Sequence, residues 1–145
     1  MDDAAFMIAV CDAVTARLNA VQQNGSSPFD EEFVAVRRYN GRFEKKELTE
    51  IKVSVLPGPI QTTGGTRKQE QVEFEVFVAV QAQATQDRAD ALMLLLQQIG
   101  DVFRFLPLGT LAVCSGTDQS PAYDTEDMKN GVFTAIRQLH FKGMR

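Results

Sequence analysis

The stretch EQVEFEVFVAVQAQ, residues 70–83, decides how this chain folds. Its even positions, Val72, Phe74, Val76, Val78, Val80 and Ala82, make one unbroken apolar face of an extended strand. Its odd positions, Gln71, Glu73, Glu75, Phe77, Ala79, Gln81 and Gln83, begin charged, turn apolar and end polar. At ~3.3 Å per residue the stretch spans roughly 46 Å, against ~17–20 Å for an ordinary strand. One face needs a core above it. The apolar middle of the other needs a separate explanation.

Patterns on either side supply the cover for the first face. Residues 3–23 carry Phe6, Met7, Val10, Val14, Leu18 and Val21 at helical spacing, with Asp2 or Asp3 as cap and QNGSSP as the stop. Directly after the long strand, Leu92, Leu95, Leu96, Ile99, Val102 and Phe103 keep the same spacing, with Thr85 or Asp87 as cap and Pro107 and Gly109 beyond the end. EEFVAVRRYN (31–40) alternates as a strand, and RFEKKELTE (42–50) reads as a charged turn. IKVSVLPGP (51–59) is a strand closed by its Pro-Gly-Pro. Residues 58–69, GPIQTTGGTRKQ, then read as a polar, glycine-rich connection. A loop of that length without a pattern of its own is uncommon in a compact domain unless it has a task.

TLAVCSG (110–116) reads as a short strand and TDQSPAYDTEDMKNG (117–131) as a loop holding one helical turn. VFTAIRQLHFKG (132–143) closes the chain as a strand with Phe133, Ala135, Leu139 and Phe141 on one face. The order is α-β-β-β-α-β-β in one domain of 145 residues. Strands joined by hairpins and loops favour an α+β fold: a mainly antiparallel sheet with two helices packed on one face. Phe77 and Ala79 then lie on the face away from the helices. Apolar positions on an uncovered sheet face mark an interface.

Composition narrows the chemistry. With 44% hydrophobic and 23% charged residues the chain is globular, and its longest apolar run is too short to cross a bilayer. No charged n-region precedes an apolar stretch, so a soluble chain made in the cytosol is expected, with no membrane partner. The net charge of −4 lacks the clustered basic excess that holds phosphates, which argues against tightly bound nucleic acid.

No reading of the polar residues favours catalysis. Cys11 and Cys114 sit in apolar contexts, IAVCDAV and LAVCSG, where a free thiol behaves as a small buried hydrophobe. His140 is the single histidine and shares its strand face with Gln138 and Lys142. Two cysteines and one histidine without paired spacing do not build a zinc site, and Asp124, Glu126 and Asp127 lack the ligand alternation of a calcium loop. QTTGGTRK lacks the lysine–hydroxyl ending of a phosphate cradle, and no nucleophile elbow or dinucleotide fingerprint occurs. Neither a cofactor nor a metal is expected. Arg37, Arg38 and Tyr39, with Arg67 and Lys68 at a hairpin tip, join Phe77 and Ala79 as candidate contact residues.

Taken along the chain, LNA (18–20), FVAVRRYN (33–40), ELTEIKVSVLPGP (47–59), a polar loop with TR (66–67), DALMLLLQQIGDVF (90–103), and PAYDTEDM (121–128) followed by GVFTAIRQLHF (131–141) make a layout that resembles the small neck and tail-completion proteins of long-tailed bacteriophages. The likeness is strongest to tail terminators. It covers nearly the whole chain but rests on layout and short words. It implies a small α/β subunit that assembles as a homo-oligomeric ring, typically of six, on the head-proximal end of the tail. Its partners would be the tail tube protein and the head–tail connector protein. The virion would be its location, after assembly in the host cytoplasm, and no catalysis is implied. Six copies at −4 would carry −24, so DNA could pass through an acidic lumen without sticking. A connector protein of the same neck and, from another class, a dimeric small-molecule-binding domain are the alternatives.

Overall fold

Strand β3, Glu70–Gln83, covers the whole opening stretch and lies inside a six-stranded sheet of order β1-β2-β3-β6-β5-β4. The computed structural model describes residues 2–23, 25–65, 70–119 and 121–144, with the side chains of residues 63–65 and 70 left aside. Within them the order is α1 (Asp3–Ala20), β1 (Ala35–Arg37), a 3-10 turn (Lys45–Glu47), β2 (Lys52–Gly65), β3, α2 (Gln86–Phe103), β4 (Pro107–Leu108), β5 (Ala112–Asp118), α3 (Thr125–Lys129) and β6 (Val132–Met144). The fold is α+β with a mostly antiparallel sheet, and α1 and α2 share one buried core.

Register explains that core. Val53, Val80 and Ala135 pair across β2, β3 and β6, as do Phe74 with Phe141 and Val76 with Leu139. All point to the helices, where Phe6, Val10, Cys11, Val14 and Leu18 of α1 and Leu92, Leu95, Leu96, Ile99 and Phe103 of α2 are buried. Asp2 caps α1 by accepting the Ala5 N–H at 2.7 Å, and Thr85 caps α2. Arg137 interrupts the apolar row of β6. Its guanidinium donates to Thr117 Oγ1 and Gln119 Oε1, and it fits because α2 carries Gly100 above it. A Cβ at Gly100 would lie 2.6 Å from Arg137 Nε.

Three features depart from the expectation. The strand expected over 31–40 is only Ala35–Arg37, and it runs parallel to β2. Its outer edge is closed by α1: the Ala35 N–H donates to Asn19 Oδ1 (2.8 Å) and Asn19 Nδ2 donates to the Ala35 carbonyl (3.0 Å). The Pro-Gly-Pro does not end β2, which runs on to Gly65 through irregularities at Pro57–Ile60 and Thr62–Gly64. The reason is position: β1 accompanies β2 only to Val55, so Pro57 and Pro59 sit on an edge where a missing N–H is tolerated. Much of the connection expected over 58–69 is therefore the outer half of a hairpin between two 14-residue strands. β4 and α3 add short elements, α3 being the helical turn expected near residue 125.

Candidate subunit interface

Away from the helices, the sheet is covered at one end by a strap, residues 38–48. Gly41 lets it approach: a Cβ there would lie 3.2 Å from Leu56 Cδ1 and Ser54 Cβ and 3.3 Å from Ala79 Cβ. A closed polar network then holds it. The Phe43 N–H donates to Gln81 Oε1 (2.7 Å), Gln81 Nε2 donates to Thr134 Oγ1 (3.1 Å), and the Thr134 hydroxyl donates to Asp127 Oδ2 (2.6 Å). Arg42 returns to the strap by donating to both Asp127 oxygens at 3.0 Å. Asp124, the cap of α3, is held below the usual carboxylate range chiefly by the Asp127 backbone N–H, with Arg42 adding to the effect.

Gln81 is the pivot of that network and is buried. Gln81→Leu keeps the volume but leaves the part-buried Phe43 N–H without its acceptor, a cost of about 1 kcal/mol. A lower thermal midpoint with faster proteolysis near residues 40–48 is the expected outcome. An unchanged melt would show that the strap is held by other contacts.

The strap corrects one candidate residue. Ala79 is only 5% exposed, lying beneath Gly41, so it is part of a second small packed layer and no contact residue. Phe77 remains half-buried on the uncovered part, with Leu56 and Gln138 opposite it on β2 and β6. Ile136 is exposed on the same face. Arg38 folds back over the sheet, donating to Ser54 Oγ (2.8 Å) and the Val53 carbonyl and lying over the Phe43 ring. Arg37 donates to Asp12 at 2.8 Å and to the Tyr39 hydroxyl at 3.2 Å, and Tyr39 is 74% exposed. Arg67 and Lys68 lie outside the described residues.

Beyond Phe77 the face becomes a charged ladder. His140 contacts Glu75 Oε1 through Nδ1 (3.1 Å) and Asp118 Oδ2 through Nε2 (2.8 Å), tying β3, β6 and β5, and Lys142 stands 3.9 Å from Glu73. Cross-strand polar contacts of this kind help set register and keep that end of the face polar.

Sequence patterning missed several exposed apolar side chains. Val34 (71%) and Val36 lie at the β1 edge, and Phe105 (68%) and Val113 at the β4–β5 edge. For Phe105 a signal existed, since it follows Phe103 by two residues and cannot share that residue's helical face. Both cysteines are buried and free, and burial pushes the Cys11 thiol up to about 12. A thiol so shifted carries almost no thiolate at neutral pH. Among the described residues no group of three or more His, Cys, Asp or Glu side chains is placed to hold a metal ion, and no helix is long and apolar enough to cross a membrane. No protein-family model and no curated protein sequence matches this chain.

Proposed function

We propose that this chain is a structural ring subunit in the neck of a long-tailed bacteriophage, a tail terminator that caps the tail tube and meets the head connector. The observation that carries the reading is the β2–β3 hairpin. Past Val55 the outer edge of β2 has no strand beside it among the described residues, and two 14-residue strands continue toward Gly65 and Glu70. A long, unpaired strand edge is a liability in a free monomer and a resource in an assembly. Exposed apolar side chains at both ends of the strand order add to it, because a ring contact needs two different patches on each subunit. Shape and charge then do the work, and no catalytic step is assigned.

Electron microscopy tests this reading. Purified protein mixed with tail tubes should appear as rings seated on one tube end, and tubes assembled in its presence should stop at a uniform length. Tubes that grow equally without it, with no ring at either end, would reject the terminator role. Rings that bind the head connector but leave tube length unchanged would favour the connector alternative.

A further inference from the structure

We propose that a groove beside β1 receives the Arg104–Phe105 elbow of a second copy of this chain, a contact between copies that rests on the ring reading above. The elbow is conspicuous on physical grounds. Phe105 is the one described non-glycine residue with positive φ, at 58°, a conformation that costs an L-residue and persists only when something requires it. The turn that ends α2 requires it, with Arg104 at φ −56° and ψ 115° and the Leu106 N–H donating to the Phe103 carbonyl (2.9 Å), and that turn leaves the Phe105 ring mostly exposed. Arg104 lies over that ring, 5.8 Å from the centroid, and has no carboxylate partner among the described residues. A strained, solvent-facing aromatic with an unpaired cation beside it has the composition of an interface hot spot.

The groove has the complementary chemistry. It measures about 710 Å³ and lies between residues 29–36 and the start of β2. The exposed Val34 and Val36 make its apolar surface, while Phe29 and Phe33, which also line it, belong to the buried core. Its rim carries Asp30, Glu31, Glu32 and Glu50 against Arg38 and Lys52. Arg38 is turned to Ser54, Glu31 is tied to Arg88 and Glu50 to Lys52, but Glu32 is exposed and has no cation partner among the described residues. The phenyl ring fits the apolar surface and the Arg104 guanidinium fits Glu32.

Position makes the contact directional. The groove lies at the β1 edge, at the end of the sheet where Lys52 pairs with Gln81. The elbow leads into β4 at the other edge, at the end where Ala112 pairs with Gly143. Two different patches at opposite edges and opposite ends of the sheet can join copies head to tail, as a ring contact requires. Asn19 already occupies the outer edge of Ala35, so the contact is made by side chains at that point and not by strand addition.

The test uses the full chain with Val34→Cys and Phe105→Cys, made singly and together, the native cysteines being buried. Under mild oxidation the two single variants mixed should give a cross-linked dimer, and the double variant a ladder ending in a closed species. Neither single variant should cross-link alone. Phe105→Gly provides an independent arm: it should melt at the wild-type temperature or above, because glycine suits this backbone, while assembly weakens by roughly tenfold or more. Cross-linking of Phe105→Cys alone would show a symmetric contact and overturn the proposal. Wild-type rings with no cross-link in the mixture would overturn this contact and leave the ring reading standing. A wild-type chain that stays monomeric with and without tail tubes would overturn both.

Discussion

Val76→Asp should leave no folded protein at 25 °C. Val76 is fully buried at the centre of β3, opposite Leu139 and beneath the two helices, and the one polar side chain near it on that face, Arg137, already donates to Thr117 and Gln119. A carboxylate there must ionise without a partner or stay protonated with unsatisfied oxygens, and either costs several kcal/mol. Losses above about 4–5 kcal/mol are comparable to the whole stability of an ordinary domain, about 5–15 kcal/mol. Circular dichroism should show a chain without a cooperative melt. A native-like melt for this variant would mean that β3 does not carry the core.

Phe77→Asp, one position further along the same strand, should separate folding from assembly. Phe77 points away from the helices and is half-buried between Leu56 and Gln138. Its replacement removes some apolar contact and places a carboxylate where water can reach it, a loss of about 1 kcal/mol. The variant should be soluble and melt cooperatively. In an assembly the same carboxylate is covered, and one buried unpaired charge at a contact centre costs about 2 kcal/mol or more, a loss of about 30-fold in affinity. Tails made with it should overgrow or stay unjoined to heads. Unfolding by Phe77→Asp would show that the outer face is core along its whole length.

The contrast between these neighbours shows how far the residue pattern reaches. A period of two with six apolar side chains on one face permits one register only, because a slip of one residue would turn every valine to water. That is why the bounds of β3, and the helix beginning at the Thr85 cap, were legible from the residues alone. What the pattern could not show is cover supplied by distant segments. Ala79 looked like half of an exposed apolar pair, yet Gly41, far away in sequence, brings the strap within contact distance of it. Gln81 belongs to the polar end of the same face, and is buried because its amide serves Phe43 and Thr134.

Local stop signals failed for a related reason. Pro57 and Pro59 would end an interior strand, but whether β2 is interior depends on how far β1 accompanies it, and β1 stops pairing at Val55. Asn19, in a helix, completes the hydrogen bonding of Ala35 and so shortens what alternation alone extended over 31–40. The candidate interface was legible where it rests on one strand, as at Phe77. It was illegible where it rests on backbone conformation, as at Phe105.

The most direct test is the mass of the purified protein in solution, measured by sedimentation or native mass spectrometry, alone and with tail tubes. The expected result is a closed ring of about six copies of the 16.1 kDa chain, formed at least in the presence of tubes and lost in Phe77→Asp. A monomer under every condition, or a two-fold dimer that tubes do not alter, would contradict it.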